Sequence, residues 1–417
     1  MKNKMLPLKE SERNGAIDIL RGIAILGIFL VNMPSFYSPY LYLNPQTYWE
    51  EGLDSGLVAF VDIFAQASFY PLFAFLFGYG AIVIAERSKM KGLSFPVLFT
   101  KRLVVLLLFG CIHAFLIWHG DILITYAVTG FLLMLFYKLK GKTMIITGLL
   151  LYIIPFSLLV FFAYLTLLIP DVDMSDLLYN QDAVVASLQI YSEGSFADIT
   201  SQRIEDWLYV NGPGSAWLLI INILPLMLFG AGFAKQGWLT DVKKHKRLLM
   251  VLMLVGLIAG LLLKSLPYSL GANYPNQLVQ DQFGGPLLAL FYIVSVVLFV
   301  QNQKIYRILK PLANVGRMSM SNYLLQSVVF TIVFYGYGFG LYGSISYTTG
   351  FLIIIVFYCL QVLLSKWWIG NYQYGPVEFI WRWATYGQRP NMKRRRETDD
   401  EVSNSGSAGR TNTSRRG

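Results

Sequence analysis

Charged residues are scarce in this sequence. Lys, Arg, Asp and Glu make up 14% of its 417 residues, whereas an ordinary soluble domain contains about 25%. Hydrophobic residues make up 55%, and the mean hydropathy is +0.52. So few polar side chains cannot cover the surface of a folded chain of this length in water. The composition excludes a water-soluble enzyme and a disordered protein, and it predicts that a lipid bilayer is the solvent.

Cysteine and histidine are also rare. The two cysteines, Cys111 and Cys359, both stand inside apolar runs, which excludes a secreted disulfide scaffold. The three histidines have no second histidine or cysteine at metal-ligand spacing, so we expect no metal site. The net charge of +10 predicts no nucleic-acid partner, because the basic residues are spread in short clusters between apolar runs.

Long apolar runs dominate what is present. A membrane-spanning helix needs about 20 mostly apolar residues. Ten runs approach this length, the fourth and ninth being the weakest, and they are 16–35, 57–85, 103–119, 122–137, 143–169, 216–234, 248–266, 285–301, 318–335 and 346–366. The pattern predicts an all-α polytopic membrane protein with about ten transmembrane helices.

The basic residues alternate between successive connections. Those that carry Lys or Arg are the amino terminus, 86–102, 138–142, 235–247 and 302–317, and those that carry none are 36–56, 120–121, 267–284 and 336–345. Basic connections stay in the cytoplasm, so we expect both termini to be cytoplasmic. Arg203 and Lys264 are the two basic residues that fall on the other side.

The chain is expected to form one transmembrane domain over residues 1–387. An acidic outer loop at 170–215 contains two stretches that predict short amphipathic helices. A Gly-Pro step predicts an interfacial helix at about 376–386. Residues 388–417 combine a basic run, an acidic run and small polar residues, which predicts a disordered cytoplasmic tail.

A polar stripe runs along the first span. Asp18 and Arg21 are three residues apart, close enough to pair on one helix face. Asn32 follows eleven residues after Arg21, which returns it to the same face about 16 Å farther along. An ionisable side chain in a bilayer costs at least about 2.5 kcal/mol near its centre, so each needs a partner or a function. Anchoring of one helix to another and binding of a substrate both remain open here.

Histidine and acid residues predict a second polar region. His113 falls near the middle of the third span, where it is either a functional base or a core histidine bonded to another helix. His119 and Asp121 flank Gly120 at the outer end of that span and are placed to meet as a base and its orienting carboxylate, or to form an ordinary polar turn. Asp62, near the outer edge of the second span, is the nearest further acid if the helices pack in order.

Five blocks of sequence resemble the YeiB-like family of bacterial membrane proteins. They extend over roughly residues 13–387 and are Asp18-Ile-Leu-Arg21-Gly22-Ile-Ala24 with Val31-Asn32, Tyr70-Pro-Leu-Phe73 with Leu76-Phe77-Gly78-Tyr79-Gly80, Gly120-Asp121-Ile-Leu, Val315-Gly316-Arg317-Met318 with Ser321-Asn322-Tyr323-Leu-Leu-Gln326-Ser327, and Gly375-Pro376-Val377-Glu378 with Trp381-Arg382 and Thr385-Tyr386-Gly387. The resemblance implies a multi-pass protein of the bacterial cell membrane and leaves its activity open.

The first span is also distantly similar to the transmembrane acyltransferase group, which includes heparan-α-glucosaminide acetyltransferase and the acyltransferase-3 family. This similarity implies transfer of an acyl group from cytosolic acyl-CoA to an acceptor across the membrane. The acyltransferase-3 pattern has an arginine in the first span and a histidine eleven residues later. Arg21 fits the pattern, whereas the later position holds Asn32.

Three functions therefore follow as hypotheses. In a membrane-embedded transferase, the predicted catalytic residues are His119, Asp121 and His113, and the predicted donor-binding residues are Arg21, Asp18, Asn32 and Asp62. In a small-solute transporter or exporter, His113, Asp62 and Asn322 line the path. In a non-catalytic membrane scaffold, the same polar groups only hold helices together. The only cofactor implied is acyl-CoA, as donor in the first case.

Overall fold

The computed structural model describes residues 14–169 and 179–394. The chain before residue 14, residues 170–178 of the predicted outer loop, and residues 395–417 of the predicted tail lie outside this part. The described chain is built from α-helices, and it contains no β-strand apart from one isolated bridge between Tyr372 and Lys393.

Eighteen α-helices follow one another along the described residues. They are α1 (Gly15–Tyr37), α2 (Pro45–Tyr48), α3 (Gly52–Phe64), α4 (Phe69–Met90), α5 (Phe95–Ile112), α6 (Leu123–Phe136), α7 (Gly141–Thr166), α8 (Gln181–Glu193), α9 (Phe196–Asn211), α10 (Ala216–Gln236), α11 (Val242–Lys264), α12 (Leu266–Leu270), α13 (Tyr274–Val279), α14 (Gly285–Phe299), α15 (Gln303–Arg317), α16 (Ser319–Phe334), α17 (Tyr347–Asn371) and α18 (Pro376–Tyr386). Two π-helical turns, His113–Ile117 and Gln280–Gly284, extend α5 and join α13 to α14.

The predicted all-α polytopic membrane fold is confirmed. Within the described residues, eight helical segments are long and apolar enough to cross a membrane, and two shorter apolar helices, α6 and α16, correspond to the two weakest runs in the sequence. Apolar side chains are widely exposed on the outer helices. In α7, for example, only 22% of the most apolar stretch is buried. Such a surface is stable in contact with lipid rather than water.

Two parts of the chain differ from the sequence expectation. The run at 57–85 is not one straight helix, because α3 ends at Phe64 and α4 begins at Phe69, with Ala67 in the left-handed region at φ 56°. The connection at 302–317 is a helix, α15, rather than a loop. Alternation of basic and apolar residues along α15 gives it one face that packs on α1 and one that remains polar.

Close packing of α15 on α1 positions the polar residues of the first span. A Cβ atom built on Gly22 would lie 2.1 Å from the carbonyl oxygen of Leu312, and one on Gly316 would lie 1.9 Å from that of Asp18. Only glycine permits the two backbones to approach so closely. Asp18 and Arg21 are thereby held against the carboxyl end of α15.

The basic connections gather at one end of the helical bundle, which we term the basic end. Lys235 donates from Nζ to the carbonyl oxygens of Tyr137 and Leu139 at 2.5 and 2.6 Å. The amide of Asn14 lies 3.4 Å from the carbonyl oxygen of Leu239. The opposite end, which we term the acidic end, consists of α8, α9 and the connections at 38–44, 118–122 and 335–346.

The chain beyond α18 turns back along the basic end. Backbone hydrogen bonds join Gln373 to Met392 at 2.9 Å and Arg394 to Asn371 at 3.1 Å. Residues 388–394, the first part of the stretch for which the sequence predicts disorder, are therefore paired with the end of α17.

Candidate functional site

A cavity of about 290 Å³ opens among α1, α4, α5, α6, α15, α16 and α18. Its wall is mostly apolar, with Ile25, Leu76, Phe77 and Leu103 among the lining residues. This volume lies at the lower end of the range of small-molecule sites. The cavity is thus suited to a small ligand or to a short apolar chain.

Charged residues line the cavity toward the basic end. Four are arginines and two are acids, and they are Arg21, Arg102, Arg317, Arg382, Asp18 and Glu378. The predicted pairing of Asp18 with Arg21 is confirmed, with Arg21 Nη1 3.2 Å from Asp18 Oδ1. About a third of the Arg21 side chain remains exposed (34%). The excess of positive charge, carried by planar guanidinium groups, favours a phosphate or carboxylate ligand.

Helix α18 closes the cavity on one side. The guanidinium carbon of Arg102 lies 4.2 Å from the centre of the Trp381 ring, and Trp381 Nε1 donates to the carbonyl oxygen of Arg102 at 3.0 Å. Glu378 accepts hydrogen bonds from the backbone N–H groups of Met320 and Ser321 at 2.8 and 3.1 Å. Burial raises the pKa of the Glu378 carboxyl, while these donors oppose the shift. The charged mouth is thus tied to the first turn of α16.

Tyr323, on α16, is one of the residues that line the cavity. Its hydroxyl donates to the carbonyl oxygen of Gly120 at 3.2 Å, and its ring centre is 5.0 Å from that of His113. His113, Asp121 and Ser327 are not among the lining residues, but His113, which contacts both of the others, packs against this ring. One aromatic side chain therefore separates the cavity from a buried polar group.

Behind Tyr323, His113 bridges a carboxylate and a hydroxyl. His113 Nδ1 is 2.9 Å from Asp121 Oδ1, and His113 Nε2 is 2.9 Å from Ser327 Oγ. Asp121 Oδ2 also accepts from the backbone N–H of Ile124 at 2.8 Å. The side chains of His113 and Asp121 are fully buried, and so is Ser327. The three residues form a Ser-His-Asp arrangement within the helical bundle.

The chain reaches this geometry through a π-helical turn. The widened turn at His113–Ile117 ends where the N–H of Trp118 donates to the carbonyl oxygen of His113 at 2.7 Å. The chain then reverses at Gly120, where a Cβ atom would lie 2.2 Å from the Trp118 ring. This reversal returns Asp121 to His113. π-helical turns of this kind are frequent at functional sites.

The arrangement can activate the serine hydroxyl. Asp121 favours the tautomer of His113 that carries its proton on Nδ1, so that Nε2 accepts a hydrogen bond from Ser327. A serine in this position can lose its proton to the imidazole as it attacks a carbonyl carbon. Because protein rather than water surrounds the group, the charges that develop are weakly screened.

His119 belongs to a separate cluster at the acidic end. Its Nδ1 lies 3.6 Å from Asp206 Oδ2 and 3.4 Å from the hydroxyl of Tyr191. Burial lowers the pKa of His119, and Asp206 partly opposes this shift. Of the two alternatives that the sequence leaves open for His119 and Asp121, the structure shows no side-chain pair between them within the described residues, because the chain reversal points Asp121 toward His113 and His119 toward α9.

Two other predicted site residues lie apart from this group. Asp62 accepts hydrogen bonds from Tyr268 and Gln280 at 2.8 and 2.6 Å, beside the α11–α14 helices rather than beside His113. Asn32 is half-buried on α1 and is not among the residues that line the cavity. Neither is brought together with the cavity or with the Ser-His-Asp group.

Polar residues of α16 also fasten it to α17. Gln326 Nε2 donates to Gln361 Oε1 at 2.8 Å, Gln361 Nε2 donates to the carbonyl oxygen of Asn322 at 3.0 Å, and Asn322 Nδ2 lies 3.1 Å from Ser365 Oγ. This network joins α16 to α17 across the bundle through Asn322 and Gln326. It also fixes the rotation of α16, which aims Ser327 at His113.

Comparison with known proteins identifies the family. A family model described as "Protein of unknown function (DUF418)" matches residues 233–388. Uncharacterized protein YxaH of Bacillus subtilis (strain 168) is 37% identical over 409 residues, an alignment that covers 92% of this chain and 97% of that protein. The chain belongs to the DUF418 family. Uncharacterized protein YeiB of Escherichia coli (strain K12) is 29% identical over 392 residues, covering 90% of this chain and 96% of that protein.

The family model matches the carboxyl-terminal part of the chain, whereas the alignment with YxaH covers 92% of it. The matched stretch 233–388 contributes α15, α16 and α18 to the cavity, and it contains Ser327. The other half of the site, with His113 and Asp121, lies in the part of the chain before it. Among the described residues, no group of three metal-ligating side chains is found.

Proposed function

We propose that this DUF418 protein is a membrane-embedded acyltransferase that takes an acyl group from an anionic thioester donor, such as acyl-CoA, and delivers it to an acceptor on the other side of the bilayer. One observation carries the proposal: a single cavity runs from a cluster of arginines to the Tyr323 ring, directly in front of the His113–Asp121–Ser327 group. In this proposal the basic end faces the cytoplasm, which the distribution of Lys and Arg supports.

The arginines provide the contacts for the donor. Arg21 and Arg102 are placed to bind phosphate groups, and Asp18 holds the guanidinium of Arg21 in position. The acyl chain enters the apolar part of the cavity. Because the volume is about 290 Å³, the proposal favours a short acyl chain over a long one.

The reaction divides into two balanced steps. Ser327 Oγ attacks the thioester carbonyl while His113 Nε2 takes the hydroxyl proton, the C–S bond breaks, and the departing thiolate takes that proton from His113. The acyl group is then an ester of Ser327. In the second step His113 removes a proton from the acceptor's hydroxyl or amine, the acceptor attacks the ester, and Ser327 Oγ leaves and recovers the proton.

This division accounts for the position of the serine. Ser327 lies eight residues into α16, which places it about 12 Å along the helix from the cavity mouth. Only the acyl group then needs to pass the middle of the bundle, and the charged donor stays at the basic end. Displacement of the Tyr323 ring joins the cavity to Ser327.

The test is mass spectrometry of envelope lipids and glycans from cells that carry the gene, cells that lack it, and cells that express Ser327→Ala. We expect an acyl group on one envelope component that disappears in both the deletion strain and the variant strain. His245→Ala serves as the control, since His245 is remote from the site and, among the described residues, its hydrogen bond is to the carbonyl oxygen of Asp241 in its own turn. Unchanged envelope components in the deletion strain would refute the proposal.

A second candidate function, transport of a small solute, is favoured by another observation. A polar cluster lies between α3, α11 and the π-helical turn at Gln280–Gly284, and it consists of Asp62, Gln280, Lys264 and Asp281. Within it, Lys264 Nζ is 3.5 Å from Asp281 Oδ1. The test is uptake of the solute into proteoliposomes. Loss of uptake in Asp62→Asn, together with unchanged uptake in Ser327→Ala, would favour transport over acyl transfer.

A further inference from the structure

Arg203 and Lys264 are the two basic residues that the loop pattern places at the acidic end, and both are completely buried. Lys264 has a carboxylate partner, Asp281, at 3.5 Å, and it donates to the carbonyl oxygen of Gln66 at 3.0 Å. Within the described part of the chain, Arg203 forms no salt bridge with any carboxylate. The two buried cations therefore differ in how their charge is compensated.

Within the described residues, the hydrogen bonds of Arg203 use one of its nitrogen atoms. Nη1 donates to the carbonyl oxygen of Phe115 at 3.2 Å, whereas Nε and Nη2 are buried with no hydrogen-bond partner among residues 14–169 and 179–394. Aromatic rings surround the group, with the guanidinium carbon 5.3 Å from the Phe196 ring centre and 6.0 Å from that of Tyr337. The N–H groups of Nε and Nη2 lie parallel on one edge, the edge that binds a carboxylate or phosphate through two hydrogen bonds.

The nearby acid on the same helix is already occupied. Asp206 accepts hydrogen bonds from Tyr42, Tyr191 and Gln202, each at 2.7 Å. Oδ1 accepts two of these hydrogen bonds and Oδ2 accepts one, and Oδ2 also lies 3.6 Å from His119 Nδ1. Within the described residues, Asp206 thus directs its hydrogen bonds to other donors and forms no salt bridge with Arg203.

Further buried donors that have no partner in the described part of the chain lie around the same helix. The indole Nε1 of Trp207, one turn from Arg203 on α9, is one of them, and its ring packs 5.2 Å from that of Phe115. The hydroxyl of Tyr335 is another, and its ring lies 5.9 Å from that of Tyr337. Buried donors in native proteins are nearly always paired, so several unpaired ones in one region indicate an absent acceptor.

We propose that Arg203 is the centre of a binding site for a carboxylate or phosphate group at the acidic end. This site is separate from the cavity that Arg21 lines. A buried guanidinium with no counter-ion is strongly unfavourable, and an oxyanion on its free edge supplies both the missing charge and the two missing acceptors. We assign this oxyanion to the acceptor of the acyl group, and that assignment rests on the proposed function. The existence of an anion site at Arg203 does not depend on the proposed function.

The experiment measures the thermal unfolding of the purified full-length protein in nanodiscs against sodium acetate, inorganic phosphate and sodium chloride at matched ionic strength. We expect acetate or phosphate to raise the Tm in a saturable way and chloride to have no comparable effect. A response to acetate alone indicates an acceptor that carries a carboxylate, and a response to phosphate alone indicates one that carries a phosphate. The same Tm in all three salts would overturn the proposal.

Two matched variants distinguish anion binding at Arg203 from anion binding in the cavity that Arg21 lines. Arg203→Lys keeps the buried charge but loses the two-donor edge, so the half-saturating concentration should rise at least about tenfold. Arg21→Lys makes the same exchange at the other end and should leave the acidic-end response in place. If Arg203→Lys matched the wild type, or if Arg21→Lys alone removed the response, the Arg203 site would be excluded. Neither Tm measurement depends on acyl transfer. A negative result would therefore count against the Arg203 site and not against the proposed function.

Discussion

Replacement of Asp121 by asparagine tests the Ser-His-Asp group with little change of shape. The carboxylate accepts two hydrogen bonds, from His113 Nδ1 at 2.9 Å and from the N–H of Ile124 at 2.8 Å. An amide has only one oxygen, so it can serve only one of these donors. If that oxygen stays on Ile124, the NH₂ group of asparagine faces His113 Nδ1.

The expected consequence is an exchange of histidine tautomers. A ring nitrogen that faces an NH₂ group must accept, so the proton of His113 moves to Nε2 and points at Ser327. Ser327 then has no base, and the rate of acyl transfer should fall by about 10²- to 10⁴-fold. Loss of one charged hydrogen bond should lower the free energy of unfolding by about 1.5–3 kcal/mol.

Nitrogen NMR of the protein labelled only at histidine measures the tautomer directly. The chain contains three histidines, so the imidazole spectrum is simple and each residue can be assigned by substitution. We expect the protonated nitrogen of His113 to be Nδ1 in the wild type and Nε2 in Asp121→Asn. Asp206→Asn is the control, since it removes the carboxylate beside His119 and should leave the His113 signals unchanged.

Two results would refute the reasoning. The first is a wild-type spectrum in which Nε2 of His113 carries the only ring proton, since Ser327 would then face a donor. The second is an Asp121→Asn variant with an unaltered His113 tautomer and unaltered acyl transfer. Either result would reduce the group to a structural contact between α5, α6 and α16.

Three further predictions concern stability, each measured by unfolding of the purified protein in lipid. Gly316→Ala should cost about 1–3 kcal/mol, because its Cβ would lie 1.9 Å from the carbonyl oxygen of Asp18; an unchanged Tm would contradict the tight α1–α15 contact. Burial holds the pKa of His119 below 6.5, so the unfolded chain binds a proton first as the pH drops below 6.5 and the stability of the protein should fall. His119→Gln should remove this part of the pH dependence, and a variant with the same pH profile as the wild type would contradict the prediction. Gln326→Leu should cost about 1–3 kcal/mol by leaving the Gln361 amide oxygen unpaired, and the double variant with Gln361→Leu should recover part of this loss.

The fold follows closely from the apolar runs, and its departures have local causes. Runs of about 20 residues fix where helices cross, because the bilayer requires internal backbone hydrogen bonds. The break before Phe69 has no such signal in hydropathy, since Ala65, Ala67 and Ser68 are all compatible with a helix. At the break, Lys264 Nζ donates to the carbonyl oxygen of Gln66 at 3.0 Å, a tertiary contact that hydropathy does not reveal.

The site was only partly predictable, for physical reasons that concern single residues. Asp18 and Arg21 pair as expected because helical spacing alone brings them together. Asp121 reaches His113 only through a π-helical turn and a tight reversal, which the sequence spacing does not reveal. Ser327 gives no signal by itself, since a serine in a membrane helix usually bonds its own backbone, as Ser327 Oγ also does to the carbonyl oxygen of Tyr323 at 3.4 Å. Its proximity to the polar pair Asn322 and Gln326 was the only indication in the sequence.

Arg203 illustrates the value of an exception in a pattern. Its sequence position at the acidic end marked it as unusual, but the loop rule could not show whether it was exposed or buried. Only the packing of α9 against the Phe115 carbonyl shows that its charge is enclosed and that one edge has no acceptor among the described residues.

The most direct measurement of the central claim is mass spectrometry of the purified protein after incubation with a short-chain acyl-CoA in the absence of acceptor. The account predicts one added acyl group on the peptide that contains Ser327, none in Ser327→Ala, and much slower addition in Asp121→Asn. An acyl group that never appears on Ser327, or that appears equally in the Asp121→Asn variant, would contradict it.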